Sequence, residues 1–238
     1  MALILNLETA TTVCSVALAK DGHLLAVKEQ NGNYSHAENL TLFIEDVLHE
    51  ANIKLSEVDA VAVSRGPGSY TGLRIGVSAA KGLCYSLNKP LIAINTLQSL
   101  SLSVSLSLEK ARGEVFFCPM LDARRMEVYC ALYDSEMVNL YPTSAEIIDE
   151  NFWEKILSRS GRAREGLSIY FFGDGAAKCK NILSANKTAV FIDDIVPSAK
   201  NMISLSEQAF TNKEFEDVAY FEPFYLKDFV AGKKKGNA

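Results

Sequence analysis

The sequence has no Cys-x-x-Cys pair, no apolar run long enough to cross a bilayer and few histidines. Its five cysteines are scattered and odd in number. This favours reduced, buried thiols over a disulfide framework. No two of the three histidines have the spacing of metal ligands on one helix face, so we do not expect a histidine-based zinc site. The apolar start Met1 to Leu7 has no positive leader and contains Asn6. We therefore expect a cytoplasmic protein without a signal peptide or membrane contact.

Basic residues are outnumbered, with 24 Lys and Arg against 29 Asp and Glu and a formal net charge of -5. A broad nucleic-acid-binding face would need an excess of basic residues, which these totals do not indicate. The chain has 238 residues, of which 48% are hydrophobic. That is enough to bury the core of one large domain or two small ones.

The first half alternates predicted strands and helices. Leu3–Leu7, Val13–Ala19 and Leu24–Val27 are apolar runs that predict a three-stranded antiparallel meander with a turn at Asp21-Gly22. Ser35 and Glu38 form a predicted capping box that begins a helix. A strand over Val58–Val63, a helix over Leu73–Leu87 and a strand over Leu91–Ile94 follow. Residues Leu97–Leu108 fit both strand and helix periods, and a helix is favoured because a buried strand this rich in serine would be unusual.

The second half echoes the first. The predicted strands are Glu114–Leu121, Met126–Tyr133, Ile169–Phe172 and Ala189–Ile192, and the predicted helices are Phe152–Leu157, one from about Ala176, and Ser198–Phe210. Leu7-Glu8 before Ala17-Leu18 matches Leu121-Asp122 before Ala131-Leu132 at a constant offset of 114 residues. This repeat predicts two similar α/β lobes, residues 1–109 and 110–230, followed by a disordered tail, residues 231–238 with Lys233–Lys235.

The densest glycine cluster lies between Arg65 and Gly76. It follows a predicted buried strand and opens a helix, where backbone N–H groups gather into an anion-binding geometry. No Gly-Lys-Ser/Thr follows and no Gly-x-Ser-x-Gly is present, so it is neither a P-loop nor a nucleophile elbow. Three interpretations stay open on chemistry alone: a tight turn, a phosphate contact or a partner contact. The loop residues are Gly66, Pro67, Gly68, Ser69, Thr71 and Gly72.

The run Val63 to Gly76, VSRGPGSYTGLRIG, resembles the signature of the TsaB (YeaZ) family. Five more stretches resemble that family, so the resemblance extends along the whole chain. One of these stretches has Ala37 where the family has serine, and another has Lys227 where arginine is common. The five stretches are Leu3–Thr11, Tyr34–Glu38, Leu121–Tyr129, Gly173–Ala176 and Pro223–Lys227.

The resemblance implies an actin-like ATPase fold, that of sugar kinases and Hsp70, with ribonuclease H-like lobes. It also implies membership of the bacterial machinery that places threonylcarbamoyl on the adenosine beside the anticodon of tRNAs reading ANN codons. Family members pair with a catalytic paralogue, TsaD, and recruit a small ATPase, TsaE, while TsaC supplies threonylcarbamoyl-adenylate. The family itself is viewed as a scaffold. No cofactor is expected in the isolated chain, and a homodimer, a nucleotide at the interface of the complex and a direct tRNA contact stay open.

We do not expect a catalytic metal site or an intact phosphate-binding turn in this chain. The paralogue holds a metal through His-x-x-x-His, whereas here His36 is followed four residues later by Leu40, and one imidazole cannot hold a catalytic metal. The turn that begins at Glu8 keeps a carboxylate but lacks the glycine that makes room for phosphate. An independent ATP-dependent small-molecule kinase and a peptidase are therefore the less favoured functions. Glu8, Thr9, Asp122, Arg124 and Arg125 are candidate ligand or lobe-junction residues, the two arginines suiting carboxylate or phosphate or an ion pair with Asp122 or Glu127.

The resemblance assigns partner contact to the helices of the first lobe. The helix after the glycine loop is rich in small residues, which allow close approach by a second helix. The same residues suit packing on the chain's own sheet, so both interpretations stay open. The predicted interface consists of His36, Leu40, Phe43, Val47, Arg74, Gly76, Ala79 and Ala80.

Overall fold

A computed structural model describes residues 2–32, 36–108, 114–160 and 167–227, with the side chains of 158–160 left aside. The predicted cap at Ser35 and the predicted tail, residues 231–238, lie outside these ranges. Within the described ranges, no helix combines the length and apolarity that a bilayer crossing requires.

The first sheet has five strands in the order β3-β2-β1-β4-β5. The first three pair antiparallel, which confirms the predicted meander, while β4 and β5 run parallel to β1. β1 is buried on both faces, as expected for a central strand covered on each side. The strands are β1 Leu3–Glu8, β2 Val13–Lys20, β3 His23–Asn31, β4 Ala60–Gly66 and β5 Leu91–Asn95.

Two helices cover one face of this sheet: α1, His36–Glu50, and α2, Tyr70–Leu87, with a short 3-10 helix, Leu55–Glu57, between them. α2 begins three residues earlier than predicted because Ser69 is its N-cap and accepts a hydrogen bond from the Gly72 N–H at 3.3 Å. It ends at Asn88, which adopts a left-handed conformation.

The ambiguous segment is a helix, α3, Thr96–Ser107. Leu97, Leu100 and Val104 are buried on one side of it and pack with residues of the second sheet. The serines are compatible with the helix because their hydroxyls donate back to carbonyls three residues earlier, as Ser103 does to Leu100 at 2.7 Å. Asn95 caps the helix by accepting from two N–H groups of its first turn.

The second sheet repeats the first, with the order β10-β9-β6-β7-β8. β6, β7 and β8 pair antiparallel, and β9 and β10 run parallel to β6. β8 was not predicted, because this edge strand is broken up by polar residues and Pro142. The duplicated order confirms the expected α/β fold of two similar, ribonuclease H-like lobes of the actin-like ATPase type. The strands are β6 Val115–Asp122, β7 Glu127–Tyr133, β8 Asn139–Ile147, β9 Ser168–Phe172 and β10 Ala189–Ile192.

The last helices are divided between the two sheets. α4, Phe152–Ser160, and α5, Ala176–Leu183, lie with the second sheet. A 3-10 helix, Ala199–Met202, and α6, Ile203–Asn212, return to the first sheet, where Met202 packs with Ile4. The predicted lobe division at residues 109/110 stays a prediction, and the structure adds that α3 packs on the second sheet and α6 on the first.

Candidate functional site

A cleft of about 1240 Å³ lies between the two lobes. Its wall in the first lobe is the turn after β1, the start of α1 and the glycine loop. Its wall in the second lobe is the turn between β6 and β7 together with Asp174, just after β9. Residues 224–227 of the C-terminal segment complete the wall. Of the predicted residues, Gly68, Ser69, Thr71, His36, Asp122, Arg124 and Arg125 line this cleft.

The glycine loop is held against the turn that follows β1. The Ser69 N–H donates to the Ala10 carbonyl at 2.6 Å, and the Thr9 hydroxyl donates to the Gly72 carbonyl at 2.8 Å. A Cβ added at Gly68 or Gly72 would come well within 3.0 Å of the backbone carbonyl of Ala10 or Thr9, closer than real Cβ atoms approach other atoms. The space that these glycines leave is therefore filled by the chain's own backbone.

Gly76 and Ala80 of α2 also face inward. A Cβ added at Gly76 would collide with the Thr9 hydroxyl, and Ala80 is completely buried in the first-lobe core. Leu40 and Val47 of α1 are buried in the same core. These four positions of the predicted interface lie where α1 and α2 pack on their own sheet, and their contact with a partner stays a prediction. A charged residue at Gly76 or Ala80 would disturb the fold before it reported on any partner.

The other four predicted interface residues are not buried. His36, Phe43 and Ala79 are partly exposed and Arg74 is exposed. The Arg74 guanidinium lies 5.5 Å from the centre of the Tyr70 ring, within the range of a cation–π contact. The contact of these residues with a partner stays a prediction.

Glu8 ends β1 but points into the protein, not into the cleft. Its carboxylate accepts hydrogen bonds from the Ala10 N–H at 2.6 Å and from the Ser64 hydroxyl at 2.8 Å. Burial raises the pKa of Glu8 from 4.5 to about 7, although these hydrogen bonds act in the opposite direction. The structure thus separates Glu8 and the equally buried Thr9 from Asp122, which lines the cleft. General acid–base chemistry shared by Glu8 and Asp122 has no geometric support here.

His36 is held by its neighbours. Its Nε2 lies 2.8 Å from the Thr11 carbonyl oxygen, and the residue four positions along the helix, Leu40, is buried in the core. Within the described ranges, no three His, Cys, Asp or Glu side chains come together as a group that could hold a metal ion.

The turn between β6 and β7 presents the charged groups of the cleft. Arg124 and Arg125 both have positive φ and exposed side chains. Of the alternatives left open for these arginines, the ion pair is not the one formed in the described part of the chain, because Asp122 pairs with Lys178 and Glu127 pairs with Lys227. Although partial burial alone would raise the pKa of Asp122, the bonds from Lys178 and from the Arg124 N–H lower it. The two guanidiniums thus face the cleft and can bind an anionic group there.

The segment 213–227, here called the C-terminal strap, is a part of the site that sequence reasoning did not assign. It crosses α2, where Lys81 donates to the Phe221 carbonyl at 3.0 Å, and the Phe224 N–H donates to the Arg65 carbonyl at 2.7 Å. The rings of Tyr225 and Tyr70 lie 4.9 Å apart. The Lys227 ammonium then reaches the second lobe at Glu127. The stretch Pro223–Lys227, noted above for its resemblance alone, was the signal that could have identified it.

Comparisons with known proteins agree with this architecture. A family model described as TsaD, tRNA N6-adenosine threonylcarbamoyltransferase, matches residues 30–235. The chain is 29% identical over 235 residues to the tRNA threonylcarbamoyladenosine biosynthesis protein TsaB of Escherichia coli strain K12, with 97% of each chain covered. It is 48% identical over 73 residues to the tRNA N6-adenosine threonylcarbamoyltransferase of Jannaschia sp. strain CCS1, which covers 31% of this chain and 20% of that protein.

Among solved structures, YeaZ from Pseudomonas aeruginosa superimposes with a TM-score of 0.77 at 27% identity, covering 95% of this chain and 100% of that one. The similarity to TsaB and to YeaZ thus extends over nearly the full length of this chain and of each of those proteins. The alignment with the transferase from Jannaschia covers one segment of a longer protein.

Proposed function

We propose that this chain, which belongs to the tRNA N6-adenosine threonylcarbamoyltransferase (TsaD) family and within it to the TsaB (YeaZ) group, is a non-catalytic scaffold subunit in tRNA threonylcarbamoyladenosine synthesis. In this role it pairs with a TsaD paralogue, activates it for threonylcarbamoyl transfer to the adenosine beside the anticodon, and recruits the ATPase TsaE. Its contact with tRNA is made through the complex, and any nucleotide binds at the interface of that complex.

The observation that carries the non-catalytic part of the proposal is the packing of the glycine loop on the Glu8 turn. Gly68 and Gly72 are covered by the carbonyls of Ala10 and Thr9, and Glu8 is buried beneath them. A phosphate-binding turn needs open backbone N–H groups and a carboxylate that reaches the ligand. Here the Ser69 N–H donates to Ala10 and the Glu8 carboxylate accepts from Ala10 and Ser64. These internal bonds support a structural role for the loop.

The decisive experiment is reconstitution. Threonylcarbamoyl transfer to an ANN-decoding tRNA is measured with TsaD, TsaE and a source of threonylcarbamoyl-adenylate, in the presence and absence of this chain. We expect transfer to depend on the chain. Equal transfer in its absence would contradict the scaffold proposal.

The surface proposed for TsaD is the outer side of α1 and α2, which contact each other. Each helix exposes a large apolar side chain there, Leu42 with 56% and Tyr85 with 86% of its surface accessible. Such side chains are where partner contact gains most from burial. We expect Leu42→Glu and Tyr85→Glu to weaken capture of TsaD by about tenfold or more.

The matched control is Leu106→Glu at the end of α3, where the leucine is 75% exposed. This variant should capture TsaD like the wild type. Unchanged capture by both helix variants, with circular dichroism spectra like that of the wild type, would place the TsaD contact elsewhere.

One observation favours a second candidate, an independent ATP-dependent small-molecule kinase. The cleft of about 1240 Å³ is large enough for a nucleotide and presents the guanidiniums of Arg124 and Arg125. Hydrolysis of radiolabelled ATP by the purified chain alone distinguishes the two functions. The scaffold proposal expects no turnover above that of a buffer control, and steady turnover that Arg124→Ala abolishes would favour the kinase.

A further inference from the structure

A second cavity, of about 460 Å³, lies at the carboxyl ends of β4 and β5 and shares no lining residue with the cleft. It is bounded by the first turn of α3, by α6 and by the start of the C-terminal strap. Its volume is within the range of small-molecule sites, about 300–1,000 Å³. The carboxyl ends of parallel strands are also where open α/β sheets place their ligands.

Arg65 is the group in this cavity that most needs a partner. The pairing of β4 with β5 shifts register between Ser64 and Gly66, and such a bulge re-aims the side chain within it. The Nε of Arg65 is buried and has no hydrogen-bond partner in the described part of the chain, where no carboxylate lies within ion-pair distance of its guanidinium either. Buried donors in proteins are nearly always paired. A guanidinium without a partner in a cavity is therefore suited to an external oxyanion.

The other residues of the cavity wall restrict the class of ligand that the cavity can bind. Gln98, in the first turn of α3, lines the cavity, and its side-chain amide offers N–H donors beside the Arg65 guanidinium. The positive end of the α3 dipole lies at the same place. Glu214, Glu216 and Lys213 also line the cavity, so with Arg65 its wall has two acidic and two basic side chains. The two glutamates offset much of the positive charge and disfavour a ligand with more than one negative charge. Ile94, Leu205 and Phe215 offer apolar contact to the remainder of a ligand.

We propose that this cavity binds a small molecule through a single carboxylate, which the Arg65 guanidinium and the Gln98 amide receive. The inference does not rest on the proposed scaffold function, because none of its residues belongs to the cleft or to the outer side of α1 and α2.

The test is an NMR titration of the full ¹⁵N-labelled chain with acetate, glycine and inorganic phosphate at constant ionic strength. The side-chain Nε–H of Arg65 and the backbone N–H of Gln98 are the reporters. We expect saturable shifts of both with acetate or glycine, and weaker shifts with the more highly charged phosphate. Arg65→Lys keeps the charge but loses the paired parallel donors, so its affinity for the same probe should fall about tenfold.

Lys187→Gln is the matched control, because it removes one positive charge at an exposed site of the other lobe and should leave the affinity unchanged. Non-saturable shifts with acetate and glycine would overturn the proposal. Binding of phosphate alone would do the same, and so would unchanged affinity in Arg65→Lys. If Arg65→Lys does not fold, the titration of the wild-type chain still tests the proposal, because non-saturable shifts with acetate and glycine would overturn it.

Discussion

Two alanine substitutions in one helix should have opposite effects on stability. Gly72 and Gly82 both belong to α2, and neither has positive φ. A Cβ added at Gly82 meets nothing within 4 Å, whereas a Cβ added at Gly72 collides with the Thr9 carbonyl oxygen. Both variants replace glycine by alanine in the same helix. The difference between their free energies of unfolding therefore reports the contact of Gly72 with the turn after Glu8.

The magnitudes follow from two terms. Alanine is favoured over glycine in a helix by up to about 1 kcal/mol, so Gly82→Ala should stabilise the protein by about 0.5–1 kcal/mol. At Gly72 the same gain is outweighed by overpacking, which costs about 1–3 kcal/mol. Displacing the turn also strains the bond of 2.8 Å from the Thr9 hydroxyl to the Gly72 carbonyl, worth about 1 kcal/mol. The net expectation for Gly72→Ala is a loss of about 2 kcal/mol.

A double-mutant cycle distinguishes the side chain of Thr9 from its backbone carbonyl as the obstacle. The three atoms nearest to a Cβ added at Gly76 are side-chain atoms of Thr9, and the nearest is its hydroxyl oxygen. Thr9→Ala should therefore relieve Gly76→Ala, with a coupling free energy of about 1 kcal/mol or more. It should not relieve Gly72→Ala, because the obstacle there is the backbone carbonyl of Thr9.

The assay is urea unfolding, with the free energy of unfolding extrapolated to water and the slope compared between variants. Equal stability of Gly72→Ala and wild type would refute the close packing of the loop on the turn. A destabilising Gly82→Ala would refute the assignment of an open position. Additivity of Thr9→Ala and Gly76→Ala would show that the two residues do not touch.

Three further predictions concern buried groups. The pKa of Glu8 is raised from 4.5 to about 7 by burial, so the folded protein binds more protons than the unfolded chain in this interval. Stability should fall by roughly 3 kcal/mol as pH rises through it, and Glu8→Gln should remove that dependence in urea titrations at several pH values. Leu100→Ala should lower the free energy of unfolding by about 2–5 kcal/mol. Leu106→Ala, at a position 75% exposed on the same helix, should change it by less than about 0.5 kcal/mol. Equal losses in the two variants would contradict the packing of α3 on the second sheet. Burial raises the pKa of the thiols of Cys14, Cys84 and Cys179 to about 11, and all five cysteines are buried. Ellman's reagent should therefore react slowly with the native protein and rapidly with five thiols in denaturant. A fast reaction with the native protein would contradict the burial of the thiols.

Several elements could be predicted because their signals are local. The meander β1–β3 was readable from three apolar runs and the Asp21-Gly22 turn, and the repeat at Glu8 and Asp122 anticipated two sheets with the same order. β8 was missed, because an edge strand with polar residues lacks the apolar alternation on which prediction depends. α3 was ambiguous in sequence, since serines alternate there with leucines and a valine at the strand period. Only the structure shows that the serine hydroxyls donate to carbonyls of the helix itself.

Part of the candidate site could also be predicted from the sequence, and part could not. The glycine loop was identified from sequence, because so many glycines between a strand and a helix are conspicuous without any structure. Which groups occupy the space beside those glycines was not readable. Thr9 and Ala10 lie about sixty residues earlier in the chain and meet the loop only because β1 and β4 are neighbours. The same holds for the C-terminal strap, whose Phe224 bonds to Arg65 from a distant part of the chain.

The sequence by itself determined the fold class, the repeat and the family resemblance, because periodicity, turn chemistry and a long motif are properties of neighbouring residues. Only the tertiary structure decided which face of α2 is buried, that Glu8 points inward while Asp122 faces the cleft, and that Arg65 lies in a separate cavity. A helix with small residues on one side and polar residues on the other can direct either side toward a sheet or a partner. That choice is made by contacts between residues far apart in the chain, where Thr9 meets Gly72 and Gly76.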